Sequence, residues 1–425
     1  MKATVTRVDP TQDDQQPAGE SAAPTGKLGL LSSLLIYRDY RQLWISTVLT
    51  QIGQWMLQIT LGWVMLTLTN SAGYVGLIGF ASGIPFILVS IPAGVIIDRV
   101  DRRQILVVCQ LAAIVVGFGL ALLVSFGHVQ PWHLLLAAFL NGSALAINNA
   151  TRQTMVPAFV TRDHLQNAIA VMSAGQNSTR ILGPSLGGPA IALMGASGAL
   201  YLQSAFLLAA LINTLMLPAV RPAIRTLDLR RNLGEGISFV AKSPVLTGLI
   251  VLAAIPSILI FPYVQLLPVF ARDILNIGAD GLGLLLSAGG TGAVVGSLAV
   301  AGAVKLPRQG WIMLVGTFVY VFVVIAFAFS SWVLLSVVLL FFCGFLGSAF
   351  MSLNNTLLHL NLSDEMRGRV MGVYSLTWGL STIGALPMGF FGDLIGVPAA
   401  VAAGSVLSGL GAIWVAFRWR ELRAI

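Results

Sequence analysis

QLWISTVLTQIGQWMLQITLGWVMLTLTNSAGYVGLIGFASGIPFILVSIPAGVII, residues 42–97, contains no Asp, Glu, Lys or Arg. About 20 apolar residues suffice to carry a helix across a hydrocarbon layer of about 30 Å. The stretch is therefore too long for one crossing. Asn70-Ser71-Ala72-Gly73 supplies turn chemistry near its middle. The reading is two membrane helices joined by a tight turn.

The same reading extends along the chain. Further uncharged runs occupy 104–151, 181–220, 243–271, 281–304, 309–363, 370–392 and 394–417. Gly127-His128-Val129-Gln130-Pro131 splits the first of these. Gly195-Ala196-Ser197-Gly198 splits the second, whose first helix starts near Asn167 and contains Arg180. Ser330-Ser331 splits the run over 309–363. The expected fold is an all-α integral membrane protein of twelve spans.

Composition agrees. The 425 residues are 56% hydrophobic and 9% charged, with a mean hydropathy of +0.87. Soluble chains carry roughly a quarter charged residues. Too few charges exist here to coat a water-soluble protein, which excludes a soluble enzyme, a nucleic-acid-binding domain and a disordered scaffold. Cys109 and Cys343 lie in apolar runs and read as small core hydrophobes. Two cysteines and four scattered histidines give no disulfide framework and no metal site. No cofactor is expected.

With both termini and the even-numbered turns on one side, 22 of the 24 Lys and Arg residues fall there. The exceptions are Arg272 on the other side and Arg180 within a span. Such asymmetry marks the cytoplasmic face and implies a multi-pass protein of the cytoplasmic (inner) membrane. Residues 1–36, rich in Pro, Gln, Asp, Ser and Gly, read as a disordered tail rather than a signal peptide. Residues 37–220 and 244–425 then form two six-helix bundles. The linker 221–243 carries a stretch, 233–240, suited to an amphipathic surface helix. Asp163, Val171 and Gly187 recur 202 residues later as Glu365, Val373 and Gly389. Gly195 has an echo in Gly396, and Asn148-Asn149 in Asn354-Asn355. Two like-facing repeats around a midplane site fit this pattern.

The turn after the second span reads Gly94-Val-Ile-Ile-Asp98-Arg99-Val-Asp101-Arg102-Arg103. Gly lets helices approach closely, Asp suits a helix N-terminus, and Arg bridges to acids across an interface. The pattern resembles the signature G-x-x-x-D-R-x-G-R-R of the major facilitator superfamily, with Asp101 where that family has Gly. The resemblance implies a latch on the cytoplasmic gate. The fifth span carries Thr179-Arg180-Ile-Leu-Gly183-Pro184-Ser-Leu-Gly187-Gly188-Pro189. It resembles the superfamily's antiporter signature G-x-x-x-G-P-x-x-G-G, with Thr179 at the first Gly. Gly53, Trp55, Trp63, Asn148, Asn149, Arg152, Gln153 and the Arg367–Met371 stretch are similar to the enterobactin-exporter-like, transmembrane secretion effector branch. That resemblance covers about residues 37–415. It implies the major facilitator fold and export of drugs, siderophores or other amphipathic small molecules by alternating access, with proton antiport as one mode. The expected partners are the lipid bilayer, a small-molecule substrate and the proton as coupling ion; a monomer is expected.

Two departures bear on coupling. Every Asp and Glu falls in a tail or loop on this reading, and Ala138-Phe-Leu-Asn141-Gly142 stands where the superfamily has R-x-x-Q-G. The proton carrier is then Asp98, Asp101 or the substrate, or no proton moves.

Candidate cavity residues follow from helical faces. At 100° per residue, Gln51, Gln54, Trp55, Gln58 and Gly62 share about 100° of the first span. Three amides seldom face lipid; they line a cavity or bond helix to helix. Ser173, Gln176, Asn177, Arg180, Gly183 and Gly187 share about 120° of the fifth. Arg180 binds an anionic substrate group or caps carbonyls of a neighbouring helix. Asn141 completes a polar set on the fourth. Tyr374 and Trp378, one turn apart, stack on a planar ligand or belong to the core. Pro256, Pro262 and Pro268 predict a broken seventh helix with Tyr263 and Gln265 near the bend. His128 and His133 read as interfacial anchors, and Arg152 as a snorkelling helix-end residue. The competing functions are an importer or lipid flippase of the same fold, a membrane-embedded enzyme, and the membrane half of an ATP-driven pump. The enzyme has only Asp98/Asp101 and Asp364/Glu365 as candidate acids, each interleaved with Arg, and the pump lacks a phosphate-binding loop and needs a partner subunit.

Overall fold

The computed structural model describes residues 31–89, 96–97, 99–220, 229–302 and 308–423. Gly94, Asp98, most of the tail and the start of the linker lie outside them, as does the side chain of Trp378.

All regular structure among the described residues is helical. Eight helices are long and apolar enough to cross a membrane. In chain order the elements are α1 (Ser32–Ile36), α2 (Arg38–Thr69), α3 (Ala72–Leu88), α4 (Arg102–Ser125), α5 (Pro131–Phe159) and α6 (Arg162–Leu215). Then come α7 (Leu229–Lys242), α8 (Pro244–Leu259), α9 (Gly278–Gly302), α10 (Gln309–Ala328), α11 (Val333–Leu360), α12 (Asp364–Ile395) and α13 (Val397–Arg418). Within the stretch read as tail, α1 is pinned by Asn167, whose Oδ1 accepts from the Ser33 backbone N–H at 3.3 Å.

Local chemistry sets these bounds. Asn70 ends α2 in the left-handed region (φ 50°), and Ser71 caps α3, its hydroxyl accepting from the Tyr74 N–H. Gly195 (φ 71°) breaks α6 inside the apolar run, and Gly396 (φ 88°) separates α12 from α13. Both backbones sit where a side chain is strained and glycine is not. After α8 the chain passes through a 3-10 turn (Phe261–Leu266), a short helical piece (Leu267–Val269) and a π turn (Phe270–Ile274). Pro256, Pro262 and Pro268 remove backbone donors there, as the sequence predicts.

Long helices alternate in direction through short turns. Arg38, Arg102, Arg162, Lys242 and Arg308 therefore collect at one end, the basic end. Asn70, Gly127, Gly195, Asn276, Ser330 and Gly396 make turns at the other, the far end. The flanks are apolar and exposed: Val115, Leu193, Leu298, Phe322 and Leu394 are among the side chains left uncovered. Such a belt suits lipid.

The core is organised by depth. One cluster joins Met56, Leu66, Val75 and Ile191 to Leu266, Phe270, Leu282 and Phe327, uniting residues before and after the linker near the far end. Towards the basic end the clusters separate. One holds Tyr40, Leu106, Met155 and Leu217; another holds Val240, Leu252, Leu357, Tyr374 and Leu422. α7 packs on the basic end of α12, where Arg369 pairs with Glu235 at 2.9 Å.

Candidate functional site

Two seams bring the first and second parts of the chain together. Along α3 and α12, Cβ atoms added at Gly76 and Gly83 would lie 2.4 Å from the Ala385 carbonyl oxygen and 1.8 Å from the Thr382 hydroxyl. Along α6 and α9, a Cβ on Gly188 would lie 2.6 Å from Gly283 Cα, and one on Gly290 2.5 Å from the Arg180 carbonyl oxygen. Ser185 and Ser287 share a hydrogen bond across the same seam. Small residues permit this approach.

The far end is also held by polar contacts. Asp393, in the last turn of α12, accepts from the Ser71 hydroxyl (2.5 Å) and from the N–H groups of Ala72 (2.6 Å) and Gly73 (3.0 Å). A carboxylate thus closes the N-terminus of α3, where free N–H groups and the helix dipole favour an anion. Arg272 donates to the Leu66 carbonyl (2.8 Å) and to Asn70 Oδ1 (3.0 Å). The sequence reading put Asp393 in a loop. In the structure α12 runs on to Ile395, because Gly396 is the first residue that breaks it.

Beneath that closure lie two cavities sharing a wall. The larger, about 580 Å³, is lined by Gln51, Gln54, Trp55, Gln58, Asn141, Asn149, Gln153, Gln265 and, on α12, Ser375, Ser381 and Thr382. Its amides reach one another. Gln54 and Asn141 exchange hydrogen bonds, Gln51 donates to Asn149 Oδ1 at 3.5 Å, and Gln58 donates to Gln265 Oε1 at 3.2 Å. The amides of α2 therefore both line the cavity and bond between helices. The smaller cavity, about 300 Å³, is lined by Trp55, Gln58, Arg180, Phe261, Tyr263, Gln265, Tyr320, Cys343 and Met351. No carboxylate of a described residue pairs with Arg180. A guanidinium in an aromatic cavity is a fork for an oxyanion.

The other expected site residues fall elsewhere. Ser173 and Asn177 are exposed and, with Gln176, lie outside both cavities. Gly183 and Gly187 are buried against Trp55, Met56 and Ile59 of α2, and Gly188 against α9; Pro184 borders the smaller cavity. Tyr374 is buried, with its hydroxyl on Met351 Sδ at 3.5 Å, and reaches neither cavity. Asp101 caps α4, accepting from the N–H groups of Arg103 (2.8 Å) and Val220 (3.3 Å). Arg102 and Arg103 donate to the carbonyls of Thr154 and Leu215, and Arg99 is exposed. Tyr320, in the run over 309–363, and Ser381 were not singled out from sequence. Their signal was a polar group within a span, Tyr320 one turn after Thr317 and Ser381 beside Thr382.

Arg152 overturns its sequence reading. It is 2% exposed rather than snorkelling. It donates to Asn148 Oδ1, to the Leu43 carbonyl, and to the hydroxyls of Ser46 (3.1 Å), Thr47 (2.6 Å) and Thr50 (3.1 Å). Gln110 donates to the same Ser46 and Thr50 oxygens. A buried charge persists only when hydrogen-bonded in this way.

An apolar helical shell around paired, polar-walled cavities defines the class: a membrane transporter rather than an enzyme. Residues 33–424 match the family described as transmembrane secretion effector, and the chain belongs to that family of the major facilitator superfamily. It is 23% identical to the staphyloferrin A transporter of Staphylococcus aureus over 363 residues, covering 83% of this chain and 89% of the relative. It is 26% identical to the enterobactin exporter of Citrobacter koseri over 390 residues, covering 91% and 92%. Among solved structures, a nucleoside transporter superposes with a TM-score of 0.74 at 14% identity, covering 89% of this chain and 99% of that one. A bacterial homologue of the lysosomal transporter Spinster, inward-facing and unoccupied, gives 0.70 at 13%, covering 94% and 99%. The fold is shared with these transporters.

Proposed function

We propose that the chain is a secondary exporter of anionic amphipathic small molecules, siderophore- or drug-like, working by alternating access in the cytoplasmic membrane. Twelve spans form two six-helix bundles, with both termini cytoplasmic. The observation that carries this reading is Arg180 in an aromatic cavity that shares a wall with an amide-lined one. The relatives are named as transporters of siderophores. The far end is sealed by Asp393, Arg272 and a core cluster spanning both bundles, while the basic-end clusters stay separate. This arrangement suits a state open to the cytoplasm, and the cycle then rocks the bundles about the midplane. Among the described residues no Asp or Glu lines either cavity. If protons are exchanged, Asp98, Asp101 or the substrate carries them.

The test is uptake into inverted membrane vesicles under an imposed pH gradient, with dyes, antibiotics and catechol or hydroxamate siderophores as the panel. Gradient-dependent uptake of anionic members, lost in Arg180→Gln at equal protein level, is expected. Uptake by Arg180→Gln equal to wild type removes the anion site. Accumulation by intact cells instead of inverted vesicles marks an importer.

A further inference from the structure

We propose that the Gln58–Gln265 amide pair divides the cavity into two subsites of different chemistry. An anionic aryl head sits beside Arg180, and a neutral tail rich in amides or hydroxyls occupies the amide-lined chamber. The proposal rests on the transport reading above and deepens it by naming the two-part ligand the protein selects.

The two chambers share few residues, and Gln58 and Gln265 are both among them. Gln58 comes from α2 and Gln265 from the 3-10 turn after α8, so their 3.2 Å hydrogen bond crosses between the two parts of the chain. They stand 207 residues apart, close to the 206 separating Asn70 from Asn276, two left-handed turn residues at matching places. The pair therefore sits near the pseudo-symmetry axis, at equal depth in each repeat. Both side chains are half-buried. Each amide has two N–H donors and an acceptor oxygen, so a ligand amide can replace the partner glutamine without stranding either side chain.

The walls differ on either side of this pair. Beyond it towards Arg180 lie Tyr263 and Tyr320. On the other side lie Gln51, Gln54 and Asn141, polar but uncharged. A chamber with no charge offers nothing to offset the desolvation of a second anion, yet its amides lose hydrogen bonds to an apolar tail. The ligand that satisfies both chambers carries its charge at one end.

The experiment is calorimetric titration of the full chain in lipid nanodiscs. The first probe is benzoate. The second is benzoate bearing an N-acetyl-diglycylamino group at its para position, an uncharged amide tail. The tailed probe is expected to bind about tenfold more tightly, the worth of one or two net hydrogen bonds. In Gln58→Leu and in Gln265→Leu the advantage is expected to fall below about threefold. Gln58→Met, close in volume and without polar hydrogens, gives the same reading should the leucine variant not fold. An unchanged advantage in the variants, or none in the wild type, overturns the division while Arg180-dependent benzoate binding still upholds the anion site. Benzoate binding that is equal in Arg180→Gln and wild type brings down the anion site itself, and this inference with it.

Discussion

Removing the Arg152 side chain takes a donor from five oxygens at once and leaves Asn148 Oδ1 without its partner, while Ser46 and Thr50 keep Gln110 and the Leu43 carbonyl keeps the Thr47 hydroxyl. Each buried polar atom left unpaired costs about 1–3 kcal/mol. Arg152→Leu is expected to lower the thermal midpoint of the detergent-purified protein markedly. Arg152→Lys, with three donors on a flexible stem, should fall between. A leucine variant as stable as wild type would show that the network contributes nothing. Gly183 allows a second comparison. A Cβ there would sit 2.4 Å from Trp55 Cβ, whereas one on Gly187 meets Ile59 Cδ1 at 3.2 Å and Met56 Cα at 3.4 Å. Trp55 lines both cavities. Gly183→Ala should therefore weaken benzoate binding, and Gly187→Ala much less; the reverse order in a titration would place the ligand away from Trp55. The glutamines of α2 were legible as a cavity face because three amides in one apolar helix have few alternatives. Arg152 was not. Sequence gives depth along a helix but not which neighbour the side chain meets, and the clue lay in Ser46, Thr47, Thr50 and Gln110 on other spans.

Among the elements, α3 and α12 carry the far-end closure. Asp393 takes three hydrogen bonds from the first turn of α3, two of them from backbone N–H groups with no intrahelical partner. Neutralising the carboxylate keeps its size and removes its attraction to the helix N-terminus, commonly about 0.3–1 kcal/mol at exposed sites. Asp393→Asn is therefore expected to raise the population open at the far end. Spin labels at Phe126 and Phe329, both exposed beside far-end turns, would report this as a longer-distance component in pulsed electron resonance. Identical distance distributions in variant and wild type would mean that the glycine seams hold the end shut unaided. The boundaries of α12 show what sequence could not supply. A charge between two apolar runs reads as a loop, and only the backbone shows the helix continuing past Asp393 to Gly396. The broken segment after α8 was legible, because three prolines leave a helix no other course.

For the whole molecule, we propose that the scattered sequence echoes mark two like-facing repeats, a reading supported by paired turns and ties. Gly195 and Gly396 turn with positive φ, and so do Asn70 and Asn276. Asn148 and Asn354 are both buried, and each helps tie its helix to the first helix of its own repeat: Arg152, held by Asn148, reaches the Leu43 carbonyl, and Asn354 donates to that of Leu249. Leu43 and Leu249 stand 206 residues apart, as do Asn148 and Asn354. On this proposal the two repeats share an internal tie, face the same way and put equivalent turns on the same side of the membrane. The distribution of Lys and Arg then assigns that side. In a background with Cys109 and Cys343 replaced, both buried and small, a cysteine at His128 should react with a membrane-impermeant maleimide in intact cells. A cysteine at Arg308 should react only after permeabilisation. Both positions are exposed, one at the far end and one at the basic end, so solvent access does not limit either reaction. Labelling of position 308 in intact cells, with position 128 protected, would invert the protein in the membrane. The cavities would then open outward, and the direction of transport would reverse with them.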